Sequence, residues 1–466
     1  MAQACTSIQN VDKPGVPSRP MPAFLQRLAA ANSKIICTAK GTDVRKVCVA
    51  ELLAQRLRVP IFQRRYCWCE DQWGTLLSDA MLVADGKKSI HPLGRLTCVG
   101  NGPNSNGRLV VIDGQQRNTT CTLLLAAIRD LVVARVSVEV AAGMLAKDLN
   151  NVLFPDEAGL ADWLAMHAPG EILSEGDALE FAALIPTYCD RAAYFAAVLP
   201  PYAAVTTKAR EWQRPMEAKN FFKKQLENSS IDRLLSLADT VLHKLEWLFF
   251  PINFQGNCDD GTEDLHVIYE RLAERDTTFC RPTRSTEFAS MGAADFVRNL
   301  LLGSFEEADA IGMYRKRWLP IEQAASAVAK RQTHGGVASI LELMLEAFLA
   351  AQTENSSTIR KQRQTAVGGH LYARFRQWLE AALAADETLD TETAKVARVL
   401  CRLQDFAVPH IDTMDSSIAK ACMQSSSQSS RLPMPVPQMG KKRCPQCSFS
   451  NHRSAPVCTC CMMLFS

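Results

Sequence analysis

The stretch RLVVIDGQQRNTTCTLLLAAIRDLVVARV, residues 108–136, joins two apolar runs through the polar turn DGQQR. The first run is short and rich in β-branched residues, so it predicts a strand over 108–114. The second run is long and predicts a helix over 115–136. Gly114 lies between them, where a glycine permits a tight turn or a close approach of the backbone to another group. The sequence therefore predicts a strand–turn–helix unit with polar side chains at its turn.

Strands and helices are also predicted on both sides of this unit. HPLGRLTCVG (91–100) and WLFFPINF (247–254) are predicted strands, and Pro60 favours an extended backbone over 58–68. The segments with helical spacing of apolar residues, or with alanine-rich helical composition, are 45–58, 70–86, 263–276, 292–303 and most of 137–250 and 305–420. Strands together with many helices indicate the α+β fold class.

The side chains of the DGQQR turn suit a phosphate group. A strand-to-helix turn points backbone N–H groups, and the positive end of the helix dipole, at whatever lies there. Gln116 and Arg117 add donors, and a guanidinium can hold two phosphate oxygens at once. Asp113 is suited to bind Mg²⁺ or to orient a water molecule. A polar turn with a capping Asp and a surface Arg is also common without any ligand, so this stretch alone leaves both interpretations open.

Several separated segments resemble, in the same order, the N-terminal domain of the GmrSD-type modification-dependent restriction proteins, whose signature is DGQQR. VIDGQQR (111–117) matches that signature fully. The other similar segments are VPIFQRRYCW (59–68), HPLG (91–94), LIPTYCDR (184–191), VIYERLAERD (267–276) and AADFVRNLLL (293–302). The similarity covers residues 45–303, and the helices 314–322 and 371–380 resemble the helical extension of that family.

The resemblance implies a domain similar to the ParB/sulfiredoxin fold, which binds and hydrolyses nucleoside triphosphates and couples this to recognition of foreign or modified DNA. It implies catalytic roles for Asp113, which would serve a metal or water, for Arg117, which would supply phosphate charge, and for His91, which would donate a proton or bind phosphate. Arg64 would share the phosphate charge with Arg117. The residues that would line the site of the nucleotide and Mg²⁺ are Gln63, Arg64, Tyr66, Gly114, Gln115 and Gln116, supported by Asp295, Arg298 and Asn299.

The predicted site residues can also have purely structural roles. His91 at a strand start can be a structural histidine, and Tyr66 can be a packing residue. The chain also departs from the family pattern, because Pro92 replaces an aromatic residue, and Ala273 and Asp276 replace the usual Asn and Gly. Binding can persist where turnover is lost, so these departures leave hydrolysis of nucleoside triphosphates open.

A second motif lies at the end of the chain, where close pairs of cysteines follow the pattern C-x2-C-x10-C-x2-C. Such pairs place four thiolates around one tetrahedral Zn²⁺, and a small zinc ribbon folds only around its metal. The predicted ligands are Cys444, Cys447, Cys458 and Cys461, which leaves Cys460 as the spare thiol. With Asn451 between the pairs, the motif resembles the Ran-binding-protein type of zinc finger, although Lys442 stands where that family has a tryptophan.

Such fingers imply a macromolecular partner. Ser448 and Phe449 resemble the Thr-Phe pair with which some of these fingers bind ubiquitin. Others bind single-stranded RNA through arginines and a stacked aromatic residue, and Arg453 is the arginine available here. A purely structural finger is the third interpretation.

The net charge, the length of the apolar runs and the cysteines limit the classes of protein to which this chain can belong. The net charge is +3 over 466 residues, so any binding of nucleic acid has to be local. No run of about 18 apolar residues exists, which predicts no membrane span. Twelve of the 17 cysteines are scattered through the chain without regular spacing, and the total is odd, which indicates free thiols in a reducing compartment. We therefore predict an intracellular protein, cytoplasmic or nuclear, and the basic N-terminus leaves organelle import open.

The predicted organisation is an irregular tail (1–44), the DGQQR domain (45–303), an α-helical extension (304–422), a disordered linker (423–443) and the zinc finger (444–461). Two hypotheses of function follow. In the first, a candidate nucleoside triphosphatase is coupled to a target that the finger selects. In the second, the chain is a non-catalytic adaptor whose finger recruits ubiquitin or single-stranded RNA. No nuclease is predicted, because the few histidines after residue 303 lack the spaced partners of an HNH-type motif.

Overall fold

The computed structural model describes residues 44–100, 107–135, 140–168, 170–203, 205–207, 213–253, 292–331, 337–354, 371–413, 441–443 and 450–452. The predicted helix over 263–276 lies outside these ranges, as do most of the predicted tail and linker. The last three residues of the predicted linker lie inside them and form a strand.

The strands are β1 (Arg45–Cys48), β2 (Leu57–Arg58), β3 (His91–Gly100), β4 (Leu109–Asp113), β5 (Ile172–Leu173), β6 (Leu184–Ile185), β7 (Thr206–Thr207), β8 (Leu245–Asn253), β9 (Lys441–Arg443) and β10 (Ser450–His452). The helices up to residue 243 are α1 (Val49–Leu53), α2 (Glu70–Ala84), α3 (Gln115–Val133), α4 (Val140–Leu153), α5 (Glu157–Met166), α6 (Arg191–Val198), α7 (Arg214–Leu226) and α8 (Ile231–His243). The helices that follow are α9 (Ala293–Gly303), α10 (Glu307–Met313), α11 (Leu319–Arg331), α12 (Val337–Glu354), α13 (Leu371–Ala385) and α14 (Glu392–Thr413). None of the described helices is both long and apolar enough to cross a membrane.

A six-stranded mixed sheet, in the order β1-β8-β3-β4-β2-β6, organises the first part of the chain. β3 is central: it runs parallel to β8 and antiparallel to β4. Thr97 of β3 therefore lies opposite Asp113 on one side and opposite Phe250 on the other. This pairing brings the end of β4, and hence the DGQQR turn, beside the middle of β3 and β8. A sheet combined with this many helices confirms the predicted α+β class, while the ParB-like assignment stays a prediction.

The predicted strands over 91–100, 108–114 and 247–254 are confirmed as β3, β4 and β8, and the predicted helices over 70–86 and 115–136 as α2 and α3. The single helix predicted over 45–58 is wrong, because this segment forms β1, the short α1 and β2. Its apolar spacing is helical, but Val47 pairs with Trp247 on β8, and the hydrogen bonds of the sheet edge outweigh local propensity.

Helix α3 is the centre of the first hydrophobic core, because nearly every residue from Gln115 to Val132 is buried. A helix that is apolar on all sides has to be surrounded by other elements, and α4, α7 and α8 pack around it. Its buried Asp130 lies 2.6 Å from the ammonium group of Lys219, which α7 supplies. The neighbouring Arg129 donates to the carbonyl oxygens of Val198 and Leu199 at 2.6 and 2.8 Å. These buried charges therefore have partners, as burial requires.

The helices from α9 onward enclose a second hydrophobic core, around Trp318, Phe348 and Phe375. Helix α9, which the sequence places in the DGQQR domain, packs in this core against α12 and α13. Three residues from the first part of the chain join it as well: Ile61, Tyr188 and Cys189. The two cores therefore meet at Ile61, in the segment that precedes α2, and at Tyr188 and Cys189, which follow β6.

A buried carboxylate joins the two parts of the chain at this junction. One oxygen of Glu322 accepts hydrogen bonds from the Arg65 guanidinium at 2.5 Å and from the Tyr314 hydroxyl at 2.6 Å. The other oxygen accepts from the indole N–H of Trp318 at 2.8 Å and from the Arg298 guanidinium at 3.2 Å. Burial by itself raises the pKa of Glu322, but Arg65, Arg298 and these hydrogen bonds outweigh it, and the pKa lies below its ordinary value of 4.5.

The Glu322→Gln variant is expected to lose about 3–5 kcal/mol of unfolding free energy at pH 7, because Arg65 then lacks its carboxylate partner and the buried Arg298 keeps only Asp295. A pKa that is lower in the folded state stabilises the fold above pH 4.5, and this contribution disappears as the pH falls through the folded value. The difference between wild type and variant should therefore shrink on acidification. Urea unfolding at several pH values measures it.

Glu380→Gln is the matched control, because Glu380 forms an exposed ion pair with Arg376 at 3.1 Å within one helix. Such surface pairs contribute about 0.3–0.5 kcal/mol. If Glu322→Gln were no more destabilising than Glu380→Gln, the buried carboxylate would not join the two cores.

Candidate functional site

The DGQQR turn is shaped by one glycine with a left-handed backbone. Gly114 has a φ of 102° and precedes the first residue of α3. A Cβ atom at this position would lie 2.7 Å from Cδ1 of Leu96 and 3.2 Å from the ring of Trp247. Both the backbone conformation and the space therefore require glycine here. As a result, β4 passes directly into α3, and the amino end of a 19-residue helix lies beside Asp113.

Arg117 lies across the turn and bonds to β3. Its guanidinium donates to the carbonyl oxygens of Leu93 at 2.5 Å and Arg95 at 3.1 Å, and it stacks over the ring of Trp247 with 5.0 Å to the centroid. The carboxylate of Asp113 is 3.8 Å from the same guanidinium. Arg117 therefore holds the first turn of α3 against the sheet, and it also supplies positive charge to Asp113.

A second guanidinium approaches Asp113 from β3. Nε of Arg95 lies 3.9 Å from Oδ2 of Asp113, and the Arg95 guanidinium lies 5.5 Å from the centroid of the Phe250 ring. The side chains of Arg95, Asp113 and Arg117 are each partly exposed, at 32 %, 28 % and 27 %. Three charged groups, one negative and two positive, thus meet at a partly solvated surface at the end of β4.

Two of the three glutamines predicted to line the site, Gln63 and Gln116, are hydrogen-bonded to the backbone. Gln63 is buried, and its side-chain N–H₂ donates to the carbonyl oxygens of residues 111 and 112 at 2.7 and 2.8 Å. The side chain of Gln116 accepts from the N–H of Cys67 at 2.8 Å and donates to the carbonyl oxygen of Arg65 at 3.0 Å. Both side chains therefore fix the segment 63–67 against the turn.

Tyr66 lies in the interior. Its hydroxyl shares a hydrogen bond of 2.8 Å with Thr120 and accepts one of 2.7 Å from the indole N–H of Trp73. Burial raises the pKa of Tyr66 well above its ordinary value, so the phenol stays protonated. Gln115 is also buried, and Arg64 is partly exposed. The packing interpretation of Tyr66 therefore fits this geometry better than a place in a ligand site.

His91 lies at the start of β3, and its Nε2 is 3.8 Å from Oδ2 of Asp79 on α2. Burial lowers the pKa of His91, although Asp79 opposes this effect, so the imidazole is neutral at neutral pH. Within the described residues, it forms no hydrogen bond or ion pair with Asp113 or Arg117. The structure thus brings Asp113 and Arg117 together and leaves His91 with a different partner.

The residues predicted to support the site belong to α9 and lie in the second core. Arg298 bonds to Glu322, and its guanidinium also forms an ion pair with Asp295 at 3.1 Å. Asn299 is fully buried. Arg298 is connected to the DGQQR turn indirectly, through Glu322, Arg65 and the backbone carbonyl to which Gln116 donates.

Sequence reasoning missed Arg65, Arg95, Trp247 and Glu322. Arg95 is a charged residue within an otherwise apolar predicted strand, and this was a usable signal. Trp247 shows no such signal, because only the parallel pairing of β3 with β8 brings it beside Gly114. Arg65 is adjacent to Arg64 in the same motif, and the sequence does not tell which of the two is buried.

The predicted zinc ligands Cys444, Cys447, Cys458 and Cys461 lie outside the described residues, together with the predicted partner-binding Ser448, Phe449 and Arg453. The strands β9 and β10, which precede and follow the first cysteine pair in sequence, form an antiparallel pair with Ser450 opposite Arg443. In the part of the chain that the structure does describe, no group of three or more His, Cys, Asp and Glu side chains is placed to hold a metal ion.

Comparison with known families supports the resemblance for the first part of the chain. Residues 49–278 match the family model of the GmrSD restriction endonuclease, N-terminal domain. The match spans just under half of the chain, lies within the predicted range 45–303, and includes the whole DGQQR turn. The Ran-binding-protein-type finger lies outside it and stays a prediction. No curated protein matches this chain.

Gly114→Ala is expected to lower the unfolding free energy by more than Gly86→Ala does. Both glycines have a positive φ, 102° and 71°, which costs a Cβ-bearing residue about 1–2 kcal/mol. Only at Gly114 does the added Cβ meet neighbouring atoms, and overpacking of this kind costs about 1–3 kcal/mol more. Thermal and urea unfolding of the two variants measures the difference. Equal destabilisation would show that Leu96 and Trp247 yield to the Cβ without cost.

Proposed function

We propose that the DGQQR turn binds the phosphate groups of a nucleoside triphosphate together with Mg²⁺. The observation that carries this proposal is the meeting of Asp113, Arg117 and the amino end of α3 at a partly exposed surface. The helix end offers unpaired N–H groups and partial positive charge. The family match of residues 49–278 supports a nucleotide-binding role, because it covers all of these groups.

Each residue of the turn has a chemical role in this proposal. The carboxylate of Asp113 would hold Mg²⁺, which neutralises phosphate charge, or would orient an attacking water molecule. Arg117 would add positive charge while its hydrogen bonds to β3 keep the turn in place. Gln63, Tyr66 and Gln116 would act by positioning, since their polar groups bond to the protein itself. His91 has no role in this scheme, because its Nε2 faces Asp79 at 3.8 Å and it forms no hydrogen bond or ion pair with Asp113 or Arg117.

We also propose that Cys444, Cys447, Cys458 and Cys461 hold one structural Zn²⁺ and that the finger binds a macromolecular partner. The spacing of the two cysteine pairs supports the metal. The antiparallel pairing of β9 with β10 supports a hairpin around the first pair. Ser448 and Phe449 favour ubiquitin as the partner, and single-stranded RNA, through Arg453, is the other outcome of a binding test.

Purified protein with Mg²⁺ is expected to release phosphate from at least one of ATP, GTP, CTP and UTP. The Asp113→Asn variant should lose this activity by about 100-fold or more, because the amide no longer holds the metal or orients water. Asp113 is suited to this test, since it is partly exposed and its ion pairs with Arg117 and Arg95 are long, at 3.8 and 3.9 Å. Colorimetric phosphate release measures the activity.

Glu246→Gln is the control for this measurement. Glu246 is a partly exposed carboxylate on β8, 3.6 Å from the ammonium group of Lys46. Its removal should leave turnover unchanged. If neither wild type nor Glu246→Gln releases phosphate, and no nucleotide changes the temperature of thermal unfolding, the proposal is contradicted. The hypothesis of a non-catalytic adaptor would then remain. Nucleotide binding without turnover would retain the binding site and exclude the hydrolase.

The full chain is expected to contain one zinc ion per molecule when measured by elemental analysis. Cys447→Ser should lose the metal, because three thiolates do not complete the tetrahedral site. Cys460→Ser should keep it, because Cys460 is the spare thiol of the spacing. Equal zinc content in all three proteins would refute this ligand set.

A further inference from the structure

Arg95 is the feature of this surface that neither the motif nor the family match assigns. It lies in the middle of β3, opposite Leu248 of β8, and its guanidinium extends over the Phe250 ring toward Asp113. Its Nε is 3.9 Å from Oδ2 of Asp113, which is too long for a hydrogen bond. Arg95 is therefore attracted to the carboxylate without being bonded to it.

The two guanidiniums at Asp113 differ in what they are already bonded to. Arg117 donates to two carbonyl oxygens of β3 and stacks on Trp247. Arg95, in contrast, donates no hydrogen bond to any described residue, and its buried Nε has no partner. A guanidinium has five N–H donors, and those of Arg95 are not bonded to any described residue.

The surroundings of Arg95 favour a phosphate group as that ligand. One carboxylate between two guanidiniums leaves the cluster with an excess of one positive charge. The Arg95 side chain is 32 % exposed, so part of its guanidinium is open to an anionic ligand. Phosphate oxygens match the planar fork of a guanidinium in a bidentate manner. The ring of Phe250 limits the conformations of the side chain and presents its donors toward Asp113.

We infer that Arg95 is the residue that binds the phosphate oxygens of the nucleotide, and that Arg117 acts as a positioning residue for the turn. This inference rests on the proposed nucleotide-binding function and assigns the phosphate contact within it. A metal held by Asp113 would lie beside the phosphate that Arg95 binds, because Arg95 and Asp113 are 3.9 Å apart.

Equilibrium binding of ATP, GTP, CTP and UTP with Mg²⁺ to wild type, Arg95→Gln and Arg45→Gln tests this inference. Arg45 is the matched control: it is an exposed arginine on the same sheet, and its guanidinium lies 5.6 Å from the centroid of the Phe249 ring. Arg95→Gln should weaken binding by about 10- to 100-fold, since a hydrogen bond to a charged group contributes about 1.5–3 kcal/mol. Arg45→Gln should bind as wild type does.

Inorganic tripolyphosphate provides the second readout, because it carries the phosphate groups without the base and sugar. It should compete with bound nucleotide on wild type and Arg45→Gln, and at least 10-fold more weakly on Arg95→Gln. Arg95→Lys should restore only part of the affinity, because an ammonium group keeps the charge and loses the bidentate geometry. Thermal unfolding without ligand should change little between wild type and Arg95→Gln, since the Arg95 side chain donates no hydrogen bond to a described residue and its ion pair with Asp113 is long and partly exposed.

The binding results distinguish a wrong assignment of Arg95 from the absence of a nucleotide site. If wild type binds nucleotide and Arg95→Gln binds it equally well, Arg95 is not the phosphate ligand, while the nucleotide site stands. Equal weakening in Arg95→Gln and Arg45→Gln would indicate a general charge effect and would also overturn the assignment. If wild type binds none of the nucleotides, the proposed function fails and the inference fails with it.

Discussion

The close passage of the backbone at Gly114 past Leu96 and Trp247 is the constraint on which the rest of the structure depends. Because this residue has a left-handed φ and no room for a Cβ, β4 can turn directly into α3. Helix α3 is then surrounded by the first core, and its amino end is presented at the sheet. Every polar group at the turn derives its position from this one junction.

Most polar side chains of the DGQQR turn and of the segment 63–67 hold that junction in place. Gln63 bonds to β4, and Gln116 bonds to the backbone on either side of Tyr66. Arg65 continues the connection into the second core through Glu322. Buried polar groups have to be hydrogen-bonded, so a motif rich in Gln and Arg is compatible with a structural purpose. Within DGQQR, Gln115 and Gln116 are buried, and only Asp113 and Arg117 have charged side chains that are partly exposed.

Much of the fold follows from local pattern. The apolar runs around residues 108–136 determine β4 and α3, and the runs at 91–100 and 247–254 determine β3 and β8. The segment 45–58 does not follow its pattern, because Val47 finds a partner strand in β8, more than 190 residues away in the chain. Local spacing cannot report such a pairing, since the stabilising hydrogen bonds come from the other strand.

For the site, the sequence by itself determined the turn and its charged ends, Asp113 and Arg117, because these lie within five consecutive residues. Only the tertiary structure decided which side chains remain available to a ligand. The Arg117 guanidinium donates to carbonyl oxygens of β3, whereas the Arg95 guanidinium donates to no described residue, and Tyr66 lies in the core. The physical reason is that a side chain can bind a ligand only if it is exposed and its polar groups are not already hydrogen-bonded. At this turn, β3, β8 and α2 determine both properties. These elements are distant in sequence and meet the turn only when the sheet has formed.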